Sequence, residues 1–167
     1  MAKPRSRTFS WSDPDEALIV ASGLPGLEML RRMISGELAL PPITALMSMR
    51  LVEAEAGRVV WEALPGEEHY NPIGTVHAGF TTTLLDSTMG TAFVSTAEAG
   101  THWTTLELKA NFTRAITADT GTVRCIGSVV HAGRTVVTTE ARLEDAEGRL
   151  LAHATSTILV LSREVSD

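Results

Sequence analysis

Asp86 is the only acid in the stretch NPIGTVHAGFTTTLLDSTMG, which runs from Asn71 to Gly90. A carboxylate among apolar and threonine side chains must find hydrogen bonds, a charge partner or a neutral state. It is also a group that can take a proton from water or attack a carbonyl carbon. His77, Ala78 and Gly79 precede it along the same stretch. If a helix starts there, its first turn carries backbone N–H groups that lack an intrahelical acceptor. Those donors and the helix dipole suit a developing negative charge, as an oxyanion hole does. Asn71 stands upstream, before Pro72, where an asparagine is also a natural turn residue. The stretch therefore offers a base or nucleophile and a set of polarising donors, the requirements for acyl transfer to water.

A helix must hold these groups. Residues 78–97 contain no proline and are long enough for about five turns. Their threonines lower intrinsic helix propensity, so burial rather than local preference has to stabilise the helix. Positions 79, 82, 83, 86, 89, 90 and 93 form one stripe, and Gly79 and Gly90 on it leave room for another chain or a ligand. Upstream, residues 43–54 and 58–64 read as strands joined by a turn at Glu55-Ala56-Gly57, and 65–76 read as loop. Downstream, TLELKANF alternates: Leu106, Leu108, Ala110 and Phe112 are apolar, while Thr105, Glu107, Lys109 and Asn111 are polar. That is the pattern of a half-buried strand. Residues 121–131, 134–145 and 149–161 are β-rich, with separators at Ala132-Gly133 and Ala146-Glu147-Gly148 short enough for hairpins. The order is two strands, one long helix and four strands in a meander. It predicts an α+β fold with an antiparallel sheet wrapped around one central helix. The sheet edges would be open, and a second subunit would cover them.

The first 40 residues read as an N-terminal extension, and 41–167 as a single domain. Residues 1–13 are expected to be a flexible lead-in. Ser12 or Asp13 before Pro14 suits a helix start, and a broken helix is expected over 14–35, interrupted at Gly23, Pro25 and Gly26 and stopped by Gly36.

Composition limits the partners. The formal net charge of −6 excludes a general nucleic-acid binder and gives no attraction to an anionic membrane. There is no apolar run long enough to span a bilayer. The N-terminus lacks the apolar core of a signal peptide, so the expected compartment is the cytoplasm. The single cysteine, Cys125, fits a reducing compartment and reads as a small buried strand residue. No histidines have metal-site spacing, so no metal or other cofactor is expected. Glu67-Glu68-His69 reads as a solvated loop, and His131 and His153 as isolated strand residues.

Two linked patterns carry a resemblance. N-x-x-G-x-x-H-x-G falls on Asn71, Gly74, His77 and Gly79, and L-x-D-x-x-x-G falls on Leu84 or Leu85, Asp86 and Gly90. Together they resemble the hotdog-fold acyl-CoA thioesterases of the PaaI type, over roughly residues 40–161 and including the turns HAGR and AEGR. The resemblance implies hydrolysis of an acyl-CoA thioester without a cofactor. Asp86 would be general base or nucleophile, and the N–H of Ala78 or Gly79 would polarise the carbonyl. Asn71 and His77 would position the thioester, the water or the local loop. A hydroxyl after the helix, Thr105 or as second choice Thr104, would hold the water. The protein would be a homodimer or a dimer-of-dimers tetramer, with the site at the subunit interface. Two departures stand out: Ala78 occupies a position that is commonly glycine, and threonine replaces a frequent serine. The rival readings are a hotdog hydratase or dehydratase and a non-catalytic acyl-CoA binding module. Phe80, Met89, Phe93, Met47 and Met49 are candidates for an acyl pocket or for plain core, and Arg134 is either a phosphate contact or a solvated turn residue.

Overall fold

A computed structural model describes residues 4–161 of the chain. Helices α1 (Pro14–Ser22), α2 (Gly26–Ser35) and α3 (Pro42–Leu46) come first. Strands β1 (Met49–Glu55) and β2 (Arg58–Ala63), the long helix α4 (Ala78–Val94) and strand β3 (Trp103–Phe112) follow. Strands β4 (Val123–Ala132), β5 (Val136–Glu144) and β6 (Leu150–Val160) complete the chain. The broken helix of the extension is thus two helices. Asp13 caps the first by accepting from Asp15 N–H, and left-handed Gly36 ends the second. Residues 43–46, expected to begin a strand, are helical instead because Pro41-Pro42 starts a turn of helix there.

The six strands form one antiparallel sheet in the order β1-β2-β4-β5-β6-β3. Only β4, β5 and β6 make the expected meander. The link from β3 to β4 spans residues 113–122 and includes a 3-10 turn at Ala118–Thr120, too long for a tight hairpin. It returns the chain to the middle of the sheet and leaves β3 as an edge strand beside β6. This places Thr105 against the central helix rather than within a hairpin.

Strand β3 also departs from its apparent alternation. A bulge lies between Thr105 and Glu107. Before it, Trp103 and Thr105 contact α4; after it, Leu108 and Ala110 pack on the core. Leu106, expected inside, sits in the bulge and is 56% exposed, and Phe112 at the strand end is 49% exposed. One extra residue has inverted the faces of the strand, as a bulge does.

Helix α4 packs against β2, β3, β4, β5 and β6. Ten of its 17 residues are buried; up to Asp86 they leave the side of Gly79, Thr82, Thr83 and Asp86 open, and from Thr88 to Val94 they lie all around the helix. The hydroxyls of Thr83, Thr88 and Thr91 bond within the helix. Thr88 Oγ1 donates to Leu84 O at 2.6 Å, and Thr91 Oγ1 to Ser87 O at 2.6 Å. This is how a threonine-rich helix can be buried without stranded polar groups. Contact with β4 is close: a Cβ on Gly127 would lie 2.7 Å from Thr88 Cγ2 and 2.9 Å from Thr88 O. Phe80, Met89, Phe93 and Met49 are all part of this core, and Met47 packs against it.

Of the expected flexible lead-in, residues 1–3 lie outside the described residues, and the rest is anchored at Arg7. Arg7 bonds to Glu68, to Ser48 Oγ and to Ala45 O, and its guanidinium lies 4.7 Å from the Phe9 ring centroid. Glu67-Glu68-His69 is a 3-10 turn held by these contacts and by His69, which accepts from Gly66 N–H at 2.9 Å and packs tilted against Phe80 with ring centroids 4.5 Å apart.

A Gly127→Ala substitution is expected to destabilise the protein by about 1–3 kcal/mol, the usual penalty for overpacking. Urea unfolding monitored by circular dichroism measures this, and an unchanged midpoint would show that the helix can shift off the strand.

Candidate active site

The stretch Asn71 to Gly90 forms one continuous structure: a loop, a helix start and most of α4. The Asn71 side chain closes the loop. Its Oδ1 accepts from Ile73 N–H at 3.0 Å and Thr75 N–H at 3.2 Å, and its Nδ2 donates to Thr75 Oγ1 at 2.9 Å. Asn71 therefore shapes the loop leading to the helix, the local-loop role among those the resemblance allowed. Val76 N–H donates to Ile116 O at 2.8 Å and His77 N–H to His69 O at 2.7 Å, which fixes where the helix begins.

His77 is the N-cap of α4. Its Nδ1 accepts from Gly79 N–H at 2.8 Å, so the imidazole satisfies one free donor of the first turn. Gly79 makes this possible, because a Cβ there would lie 2.9 Å from Nδ1. The Phe80 N–H donates to His77 O at 3.0 Å. Gly79 N–H and Phe80 N–H are thus occupied. The Ala78 N–H, first in the helix, has no acceptor among the described residues, and Ala78 is exposed.

Asp86 lies eight residues further along α4, on an exposed face. Thr105 Oγ1 donates to its Oδ1 at 3.1 Å. The other carboxylate oxygen has no protein donor among the described residues. Thr104 is exposed and makes no comparable contact. The structure thus brings Asp86 and Thr105 together, and Asn71, His77, Ala78 and Gly79 together, as two groups. At 1.5 Å per residue the two groups are about 12 Å apart along the helix axis.

A cleft of about 320 Å³ opens beside the helix start and is lined in part by Asn71, Thr75, Ala78, Phe112 and Arg114. Arg114 is the basic residue that sequence reasoning missed; nothing in NFTRAI marked it, and only the β3–β4 crossover brings it to the loop. Cys125 is not a nucleophile: burial pushes its thiol up to about 12, and the Thr88 hydroxyl offsets this only in part. Among the described residues, no three His, Cys, Asp or Glu side chains come together as a metal set.

Residues 73–152 match the thioesterase superfamily. Human acyl-coenzyme A thioesterase 13 is 33% identical over 114 residues, covering 67% of this chain and 79% of that protein. The chain belongs to the thioesterase superfamily. It is a thioester hydrolase with the hotdog fold, and the PaaI-type resemblance holds. A phenylacetic acid degradation-related protein of Ralstonia eutropha superposes with a TM-score of 0.72 at 27% identity, over 78% of this chain and 98% of its own. A Streptococcus mutans protein solved bound to acetyl-CoA superposes with a TM-score of 0.63 at 27% identity, over 69% and 90%. No helix of this thioesterase among the described residues is long and apolar enough to cross a membrane.

Replacing Gly79 with alanine is expected to force the His77 ring off the cap and to lower stability by about 1 kcal/mol, the worth of an N-cap bond. In a His77→Ala background the same change becomes neutral or stabilising, since alanine is the better helix former. Thermal melts of the four proteins test this, and a Gly79→Ala penalty that persists without the imidazole would contradict it.

Proposed function

We propose that the protein hydrolyses an acyl-CoA thioester to a free acid and CoA, with Asp86 as general base and Ala78 N–H as the oxyanion donor. The observation that carries the reading is the pairing of Asp86 with Thr105 on a face of α4 that is otherwise open. A carboxylate with one oxygen fixed by a hydroxyl and the other open can orient and deprotonate a water. The water oxygen bonds to the thioester carbonyl carbon as Asp86 takes its proton, and the carbonyl π pair moves onto oxygen. The Ala78 N–H stabilises that oxyanion. As the intermediate collapses the C–S bond breaks, CoA leaves as thiolate, and the proton held by Asp86 returns to sulfur. Gly79 N–H does not share this role in the reading, because His77 Nδ1 already accepts from it.

Donor and base cannot act on one carbonyl from the same chain across about 12 Å of helix. They can if two copies pack with their α4 helices antiparallel, each Ala78 meeting the other's Asp86. That supports a homodimer, alone or within a tetramer. The exposure of Asp86, Leu106 and Phe112 and the open edge of β3 support the same reading. The match to an acyl-coenzyme A thioesterase and the likeness to an acetyl-CoA-bound protein support CoA as the thiol carrier. The cytoplasm is the proposed compartment.

Asp86→Asn is expected to lower kcat by about 10²–10⁴ with KM little changed, the usual worth of a general base. CoA release from an acyl-CoA panel, followed with a thiol reagent, measures it; retained kcat would sink the assignment. Enoyl absorbance changing without thiol release would instead favour a hydratase. Ala78→Pro is the companion test. His77 is already extended at φ −61° and ψ 139°, and proline fits the first helical position. Only the N–H is lost, and kcat is expected to fall by about 10²–10³. A fully active Ala78→Pro protein would remove this donor from the mechanism.

A further inference from the structure

The N-terminal extension is not absorbed by the proposed chemistry, yet it is built into the protein. Gly26 N–H donates to Ala97 O at 2.9 Å, and Leu30 of α2 is fully buried in the core. Between the extension and the hotdog core lies a cavity of about 440 Å³, within the size range of small-molecule sites, roughly 300–1,000 Å³. Its floor is core structure: Trp61, Thr91, Val94 and Trp103. Its roof is the extension, with Leu18 and Ala21 from α1 and Met29 and Met33 from α2.

Three observations identify the occupant. First, the interior offers no free polar group. Thr91 Oγ1 accepts from Trp61 Nε1 at 2.9 Å and donates to Ser87 O at 2.6 Å. The polar members Ser12, Asp13 and Asp15 are exposed and stand at the start of α1. Such a chamber selects hydrocarbon. Second, it adjoins the reacting groups. Trp103 is two residues from Thr105 and on the same face of β3, about 7 Å away. Its ring lies against α4 at Gly90, where a Cβ would be 2.6 Å from Cη2. Gly90 is one turn beyond Asp86. Third, the roof is lightly held. Helix α1 buries none of its residues and exposes Leu18, Ile19 and Val20. A segment of that kind can move to admit a chain.

We propose that this chamber receives the acyl chain of the substrate thioester and that the α1–α2 roof sets the chain length accepted. The proposal rests on the thioesterase reading above and names the substrate class within it: aliphatic acyl groups rather than polar ones. The Trp103 ring, packed edge-on to Phe93 at 5.9 Å, stands between the Asp86–Thr105 pair and the chamber, where the chain would pass.

Two opposed variants of the full chain test it, neither in the proposed catalytic machinery. Ala21→Trp fills the chamber from the roof, and Met33→Ala enlarges it. Release of CoA is measured for acetyl- through palmitoyl-CoA. With Ala21→Trp the longest well-used chain is expected to lose about tenfold or more in kcat/KM relative to acetyl-CoA, the scale of methylene discrimination in an apolar pocket. Met33→Ala is expected to move the optimum to longer chains. General damage to folding cannot shift the two profiles in opposite directions. If the wild-type protein releases CoA but both variants keep its chain-length profile, the chamber proposal is overturned and the thioesterase reading stands. If the wild-type protein releases no CoA, that reading fails, and calorimetric titration with dodecanoate decides the chamber. Binding lost in Ala21→Trp supports it; equal binding in both proteins, or none in either, overturns it.

Discussion

Everything at the site depends on the burial of α4 between the sheet and the extension. The helix is rich in threonine and would be a poor helix in water. It persists because five strands and α2 contact it and because the hydroxyls of Thr83, Thr88 and Thr91 return their hydrogen bonds to its own carbonyls. Gly127 of β4 lets the backbone of the helix lie close to the sheet. The result is a rigid rod with one end and one face left open. The open end carries the Ala78 N–H, and the open face carries Asp86.

That rigidity is why the proposed chemistry calls for subunit association. Ala78 N–H and Asp86 sit at fixed places on one rod and cannot be brought together by bending it. A second copy is the economical way to bring them to one carbonyl. The same rod continues past Asp86 to Gly90, Thr91 and Val94, where it becomes the floor of the apolar chamber. The proposed oxyanion donor, base and acyl chamber thus lie on successive turns of a single helix. The extension adds a roof to that chamber, beyond the residues that match the family.

The helix, the hairpin turns and the placing of His77 at the helix start with Asp86 along its length were legible in the sequence because each is local. Asp86, His77 and Gly79 sit at spacings that a helix and its cap convert directly into geometry. Thr105 was legible only through resemblance. The TLELKANF alternation pointed Thr105 away from the core, and the bulge at Leu106 reverses this. A bulge leaves no mark in a pattern that reads as regular. The position of β3 at the sheet edge was also hidden, since β-strand order depends on the path of the 113–122 crossover. The Arg7 anchor, Arg114 beside the loop and the chamber under α1 all join residues far apart in sequence. Local periodicity carries no information about them.

The central claim is that each active site combines the helix start of one subunit with the acid of another. Subunit exchange between Ala78→Pro and Asp86→Asn proteins, each nearly inactive alone, tests it most directly. A mixed dimer would hold one site with both groups intact and one with neither. Random exchange should then recover roughly a quarter of wild-type activity, as two-fold symmetry requires. If the mixture stays as inactive as its parents after exchange has been verified, the two groups act within one chain or not at all, and the account fails.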